Sequence, residues 1–243
     1  EVFGRERIRR YLESEPYRGL FLSDDEETLF FFEEIQKEGV SELILKMAHR
    51  NKQRNKQWNT NAGEQLSGVP PQAYNMKDAK NISTQNFMSR SARIIDYFAE
   101  TDDLLLLMDE ANEEKFNLYI MDVSTGLQKQ LTHAPQVLMP KVSKDRTGIW
   151  YLTREMKTDG SFVGGFCKVD IQSKVVSRIF NDEGDDYKLN FVSPLEVSPE
   201  RILIFLDKGG RRHEFQLFDV NLKTGERKMC LDENFSKHRN HIE

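Results

Sequence analysis

Two adjacent arginines, Arg211 and Arg212, follow Gly209-Gly210 and precede His213, in a segment bounded by Phe205 and Phe215. Glycines let such a tip bend tightly, and planar guanidinium groups match a carboxylate with paired hydrogen bonds. Arg211 and Arg212 are therefore the candidate binding residues of this chain, and a carboxylate is the group they suit. The plain alternative is a hairpin tip whose charges keep it in water. No comparable set exists for catalysis. The chain has no Gly-x-Ser-x-Gly, no His-Glu-x-x-His, no Cys-x-x-Cys and no Gly-x-x-x-x-Gly-Lys, so nucleophile, zinc and phosphate chemistries have no motif to stand on. No catalytic residue, metal ligand or cofactor is assigned. His238 and His241 sit together near the chain end, where a solvated terminus is expected. The acidic pairs Asp24-Asp25, Asp102-Asp103 and Asp185-Asp186 fall in turn-like stretches, where Asp side chains bond their own backbone. Gly164-Gly165 reads as a strand irregularity or bulge.

The elements that would hold such residues recur along the chain. Leu118–Asp122 with Ser124-Thr125-Gly126, Phe166–Asp170, and Phe215–Asp219 with Lys223-Thr224-Gly225 form one repeating pattern. Asp122 and Asp170 are 48 residues apart, and Asp170 and Asp219 are 49 apart. Each copy follows a strand–turn–strand unit: Pro140–Leu152, Leu195–Phe205 and, more loosely, Ile94–Met108. A further short strand follows each copy, at Leu127–Thr132, Val175–Phe180 and Glu226–Leu231. Four short strands in a unit of this length describe one blade of an all-β propeller of four-stranded antiparallel blades. Three regular blades are expected at about 90–135, 138–184 and 190–232, and an irregular one at 17–84 with an inserted polar loop at 49–71. In the irregular blade Ser41–Met47 with Glu64–Ser67, or Ala73–Asp78 with Lys80–Thr84, can supply the third and fourth strands. A helix is expected over Val2–Glu15, within a leading segment 1–16 that Pro16 closes, and 236–243 is a tail. Phe30, Phe32, Leu105, Leu107, Trp150, Leu152, Ile202, Ile204 and Phe218 are expected in the core.

Composition narrows the partners. The 243 residues carry a net charge of −5, which argues against a nucleic-acid surface, since phosphate binding needs excess Lys and Arg on one face. The longest apolar runs, Leu104–Met108 and Ile202–Leu206, have strand length, and none could span a membrane as a helix. Cys167 and Cys230 are read as two buried thiols, which assigns no redox compartment.

The blade pattern, with Ser143-Lys144-Asp145 or Ser198-Pro199-Glu200 before an apolar strand, then Leu118-Tyr119-Ile120-Met121-Asp122, Ser124-Thr125-Gly126 and Gln130-Leu131-Thr132, resembles TolB-type propellers. It equally resembles the N-terminal propeller of the prolyl oligopeptidase and dipeptidyl peptidase family. The resemblance covers about residues 17–232. The family's Ser-Pro-Asp-Gly turn appears here as Ser23-Asp24-Asp25-Glu26, Ser143-Lys144-Asp145-Arg146 and Ser198-Pro199-Glu200-Arg201. The resemblance implies a non-catalytic propeller that gates peptide access to a following serine hydrolase domain, whose triad has no counterpart in this chain. It also implies seven or eight blades in the whole propeller, so the chain is expected to be a fragment. The peptide substrate would then be met together with that domain. A protein-binding scaffold without activity is the other function the pattern allows.

Overall fold

A computed structural model describes residues 17–50, 74, 76–88, 92–109, 113, 115–183, 189, 195–198, 200–207 and 214–234. The expected helix at Val2–Glu15, the body of the inserted loop and the chain's end lie outside them. Among the described residues the only helical turn is a 3-10 turn at Met76–Asp78.

The chain forms four antiparallel sheets, each a meander in sequence order. The first contains β1 (Tyr17–Leu22), β2 (Thr28–Lys37) and β3 (Val40–His49), with β4 (Lys80–Asn81) and β5 (Phe87–Met88) both pairing along β3. The third strand is thus the one containing Ser41–Met47, and the residues after the insertion fill the fourth position. The second sheet is β6 (Ala92–Phe98), β7 (Asp103–Met108), β8 (Asn117–Asp122) and β9 (Gln128–Gln130). The third is β10 (Val137–Val142), β11 (Gly148–Met156), β12 (Phe162–Asp170) and β13 (Val176–Asn181). The fourth is β14 (Leu195–Ser198), β15 (Arg201–Asp207), β16 (Glu214–Asn221) and β17 (Arg227–Asn234).

Apolar residues on both faces put the second strand of each sheet inside. The run Leu104–Met108 is buried throughout, as is Leu29–Phe32, the pattern of a strand covered on both sides. The first strands are more exposed, and each carries a register shift against its neighbour, at Arg18/Phe21, Ile94/Asp96, Leu138/Lys141 and Glu196/Ser198. A recurrent bulge at one place in every repeat is a designed bend of that strand.

The chain divides into two compact units, residues 1–113 with 119–129 and residues 114–118 with 130–243. In the first, Phe30, Phe32, Leu43 and Leu45 pack against Leu104, Leu106, Met108 and Met121. The other face of the first sheet is closed by Tyr74, which packs on Leu29, Phe31 and Ala48 and donates its hydroxyl to the Glu26 carbonyl at 2.6 Å. Burial pushes that phenol up to about 12. In the second unit Trp150, Leu152, Phe166 and Phe180 meet Ile202, Ile204, Leu206 and Val220. Trp150 and Phe166 stack at 5.3 Å. The expected core residues are buried with one exception: Phe218 is half-buried. It lies at the register shift between β16 and β17 and is covered by the Phe180 ring and the Arg227 guanidinium.

The recurrent turn differs from the sequence reading in one member. Asp122 and Asp170 each bond the amide three residues on, at 2.8 and 2.7 Å, and their carbonyls accept from Gly126 and Lys174. The residue doing this in the fourth sheet is Asn221, which bonds the Thr224 amide at 3.1 Å and whose carbonyl accepts from Gly225. Asp219 instead lies inside β16 and pairs with Arg201. Asn satisfies an Asx turn as Asp does, and matching on Asp alone displaced the repeat by two residues.

Candidate functional site

The acidic residues that resemble acid–base groups are held as turn formers. Ser23 and Ser143 each donate their hydroxyl to the Asp two residues on, Asp25 or Asp145, at 2.6 Å in both cases. The same two carboxylates accept the amides of Glu27 and Thr147, and each serine oxygen accepts the amide five residues later at 3.0 Å. These bonds favour the carboxylate, so Asp145 is held down at about 2, with the Ser143 hydroxyl as the main cause. Bonds from Ser124 and Thr125 lower Asp122, and bonds from Ser173 lower Asp170. A carboxylate this acidic is a poor proton carrier near neutrality. Asp102 accepts the Tyr97 hydroxyl at 2.8 Å, and burial with that bond raises the phenol to about 12. Asp185-Asp186 lie outside the described residues.

Gly164 and Gly165 are not a bulge. They pair in unbroken register with Arg154 and Thr153 of β11, and the register shift falls one step further, between Phe166 and Cys167 against β13. Their lack of side chain makes room for neighbours: a Cβ on Gly164 would lie 2.7 Å from the Asp182 carboxylate, and one on Gly165 would lie 2.7 Å from the Arg178 guanidinium. Asp182, itself buried, accepts the amides of Gly164 and Leu189. Cys167 is buried and free, its thiol pushed up by burial, whereas Cys230 is free and exposed on the edge strand β17. The expectation of two buried thiols holds only for Cys167, because an edge strand leaves one side uncovered.

Arg211, Arg212, His213, His238 and His241 lie outside the described residues. Among the described residues no group of three or more His, Cys, Asp and Glu converges as a metal site, and no helix is long and apolar enough to cross a membrane.

The described residues do form a different concavity, which no sequence motif announces. A shallow cavity of about 330 Å³ lies between β13 and the turn joining β16 to β17, lined by Arg178, Ile179, Phe180, Asn181, Glu183, Gly225 and Arg227. Arg227 stacks over the rings of Phe180 and Phe218, at 4.7 and 5.5 Å. Arg178 faces Glu155 at 3.8 Å, and Glu183 is held by Lys157 at 2.6 Å. Neither arginine has a distinctive local sequence. Both line this cavity because the third and fourth sheets pack together, Arg227 over Phe180 and Phe218 and Arg178 over Gly165.

No protein-family model matches the sequence, and neither does any curated protein sequence. Solved structures do. The acylaminoacyl peptidase of Pyrococcus horikoshii is similar over 93% of this chain and 34% of its own, with a TM-score of 0.56 and 8% identity. The β-propeller domain of the Trilobed protease from Pyrococcus furiosus, which has an open velcro topology, is similar over 89% of this chain and 57% of its own, at TM-score 0.51 and 11% identity. A putative TolB from Agrobacterium tumefaciens is similar over 90% and 66%, at TM-score 0.49 and 14% identity. The chain spans between about a third and two thirds of these proteins' lengths. At such identities the likeness is one of fold, and the fold is a β-propeller of four-stranded antiparallel blades.

Proposed function

We propose that this chain is the non-catalytic propeller portion of a prolyl oligopeptidase-like serine peptidase, which filters peptides on their way to a hydrolase domain. The observation that supports this reading most is the likeness to an acylaminoacyl peptidase of which the chain spans only about a third. Filtering here is steric: an opening in a rigid scaffold admits an extended chain and rejects a folded one, so specificity comes from exclusion by shape. The hydrogen-bonded turns supply the rigidity. They spend Ser23, Ser143, Asp25 and Asp145 on backbone geometry rather than on chemistry. In this reading Arg211 and Arg212 meet a peptide carboxylate or the acidic side chains of the hydrolase domain. The sequence reading's other function, a protein-binding scaffold without activity, needs no second domain.

The intact gene tests the proposal. A following domain of roughly 250 residues with Gly-x-Ser-x-Gly, then Asp and His in that order, is expected. A stop codon close after His241 would overturn the peptidase reading in favour of the scaffold. In the intact peptidase, Arg211→Ala with Arg212→Ala should weaken peptide binding. Unchanged peptide affinity and unchanged domain docking would leave both as ordinary surface charges.

A further inference from the structure

We propose that β17 is a self-complementary edge through which two copies of this chain pair, antiparallel strand against strand, as a symmetric dimer. The inference concerns one sheet and is independent of the peptidase reading. β17 is the last strand of the fourth sheet, and its outer side has no strand partner among the described residues. Such an edge is a template for a further strand. Its sequence is Arg227-Lys228-Met229-Cys230-Leu231-Asp232-Glu233-Asn234: two cations, an apolar centre, then two anions. Turned end for end, this order is its own complement. An antiparallel second copy sets the basic half of each strand opposite the acidic half of the other, twice over. In a pairing centred on Cys230, Lys228 meets Asp232; moved by one residue, it meets Glu233. Parallel in-register pairing aligns like charges instead, so the pattern also works against the wrong orientation. The outer strands β9 and β13 each contain one cation and no anion, and have no such order.

Burial along the strand agrees with this pattern. Met229 is 50% exposed, and Lys228 and Cys230 are exposed beside it, so the centre of the strand is uncovered where a partner strand would lie. Arg227 lies over Phe180 and Phe218, which leaves the basic half to Lys228. Asp219, opposite Lys228 on β16, is already paired with Arg201. The Cys230 thiol is free, its sulfur 3.6 Å from the Lys228 carbonyl oxygen of its own strand. The register with β16 steps between Leu217 and Phe218, which pair with Leu231 and Met229 and leave Cys230 as the extra residue of a bulge. A bulge bends an edge and discourages a straight foreign strand. A second copy has its bulge at the same central residue, so a two-fold axis there joins two edges bent at the same place. The edge is selective for its own kind. One pair of eight-residue strands buries little surface, so the dimer is weak and concentration-dependent. Isologous pairing uses up both edges, and the assembly stops at two copies.

Sedimentation of the full chain as a concentration series reaching about 1 mM tests the proposal. A monomer–dimer equilibrium that weakens with added salt is expected. Lys228→Glu, and separately Asp232→Lys with Glu233→Lys, should each weaken self-association about ten-fold or more, because each sets like charges opposite one another. The two variants mixed in equal amounts should associate, since the new anion of one meets the new cations of the other. All three changes in one chain should restore the homodimer. These gains separate lost pairing from a variant that fails to fold. Diamide gives an independent readout. It takes two electrons and two protons from a pair of thiols, which join as a disulfide while the diamide becomes the hydrazine. A link between the two copies of Cys230 should form, Cys230→Ser should abolish it while the association persists, and Lys228→Glu should slow it. A chain that stays monomeric throughout the series would overturn the proposal. So would assemblies larger than a dimer, a dimer indifferent to both charge variants, variants that do not associate on mixing, or a crosslink that survives Cys230→Ser.

Discussion

Single residues decide the geometry of the turns. After β8, β12 and β16 an Asp or Asn caps a turn whose last residue has positive φ: Gly126 at 70°, Lys174 at 59° and Gly225 at 71°. Lys174 is the one with a side chain, and the left-handed region costs such a residue roughly 1–2 kcal/mol. Lys174→Gly should therefore stabilise the chain by about 0.5–1 kcal/mol, after the larger entropy of an unfolded glycine is deducted. Gly126→Ala should do the reverse and more, because its Cβ would lie 2.4 Å from the Ile82 carbonyl oxygen. A loss of about 3 kcal/mol is expected from strain and overpacking together. Urea unfolding midpoints check both. Acid dependence belongs to the same scale. Asp145 sits at about 2 in the folded chain against an ordinary 3.8. Its contribution is complete above about 3.8 and fades as pH falls through about 2. Asp145→Asn should cost no more than about 1 kcal/mol at pH 7, given the exposure of the site. The gap from the parent chain should narrow between pH 4 and 2. A gap that stays constant across that range would show that the carboxylate charge has no part in it.

Elements were legible where their pattern is local. The second strands announce themselves as apolar runs, and the third strands as runs closed by Asp or Asn with a turn behind them. The first strands are less marked, and their bulges have no sequence signature. Nor does the contact that joins two neighbouring sheets. Glu196 on β14 accepts the Trp150 indole N–H of β11 at 2.6 Å and the Lys144 amide at 3.0 Å. Trp150 is 2% exposed, so its donor has no ready access to water once that carboxylate is gone. Glu196→Ala should cost about 2 kcal/mol, the range for leaving a buried donor unpaired. Trp150→Phe, which removes the donor as well, should make a subsequent Glu196→Ala much cheaper. A double-mutant cycle on denaturation midpoints measures that coupling. Additive losses would show that the Trp150–Glu196 bond adds nothing to the joint between the two sheets.

At the scale of the whole molecule the prediction concerns activity. The 243-residue chain should not hydrolyse peptide anilides or esters, and no serine should react stoichiometrically with a fluorophosphonate. Ser23 and Ser143 each donate to a carboxylate, yet each hydroxyl is spent within its own turn and is nearly buried. Stoichiometric labelling of any serine would overturn this assignment. The sequence by itself determined the all-β class, the blade unit and the buried residues of the second strands, because strand period, apolar runs and turn residues are local and repeat every 50 residues or so. It also determined that Ser and Asp before the second strands serve turns. Tertiary structure alone decided which strands complete the first sheet, since an insertion separates β3 from its partners. It alone decided why Gly164 and Gly165 are glycines, and which arginines share a cavity. Those facts depend on side chains far apart in the chain meeting across packed sheets, and a meeting of that kind leaves no spacing to be read.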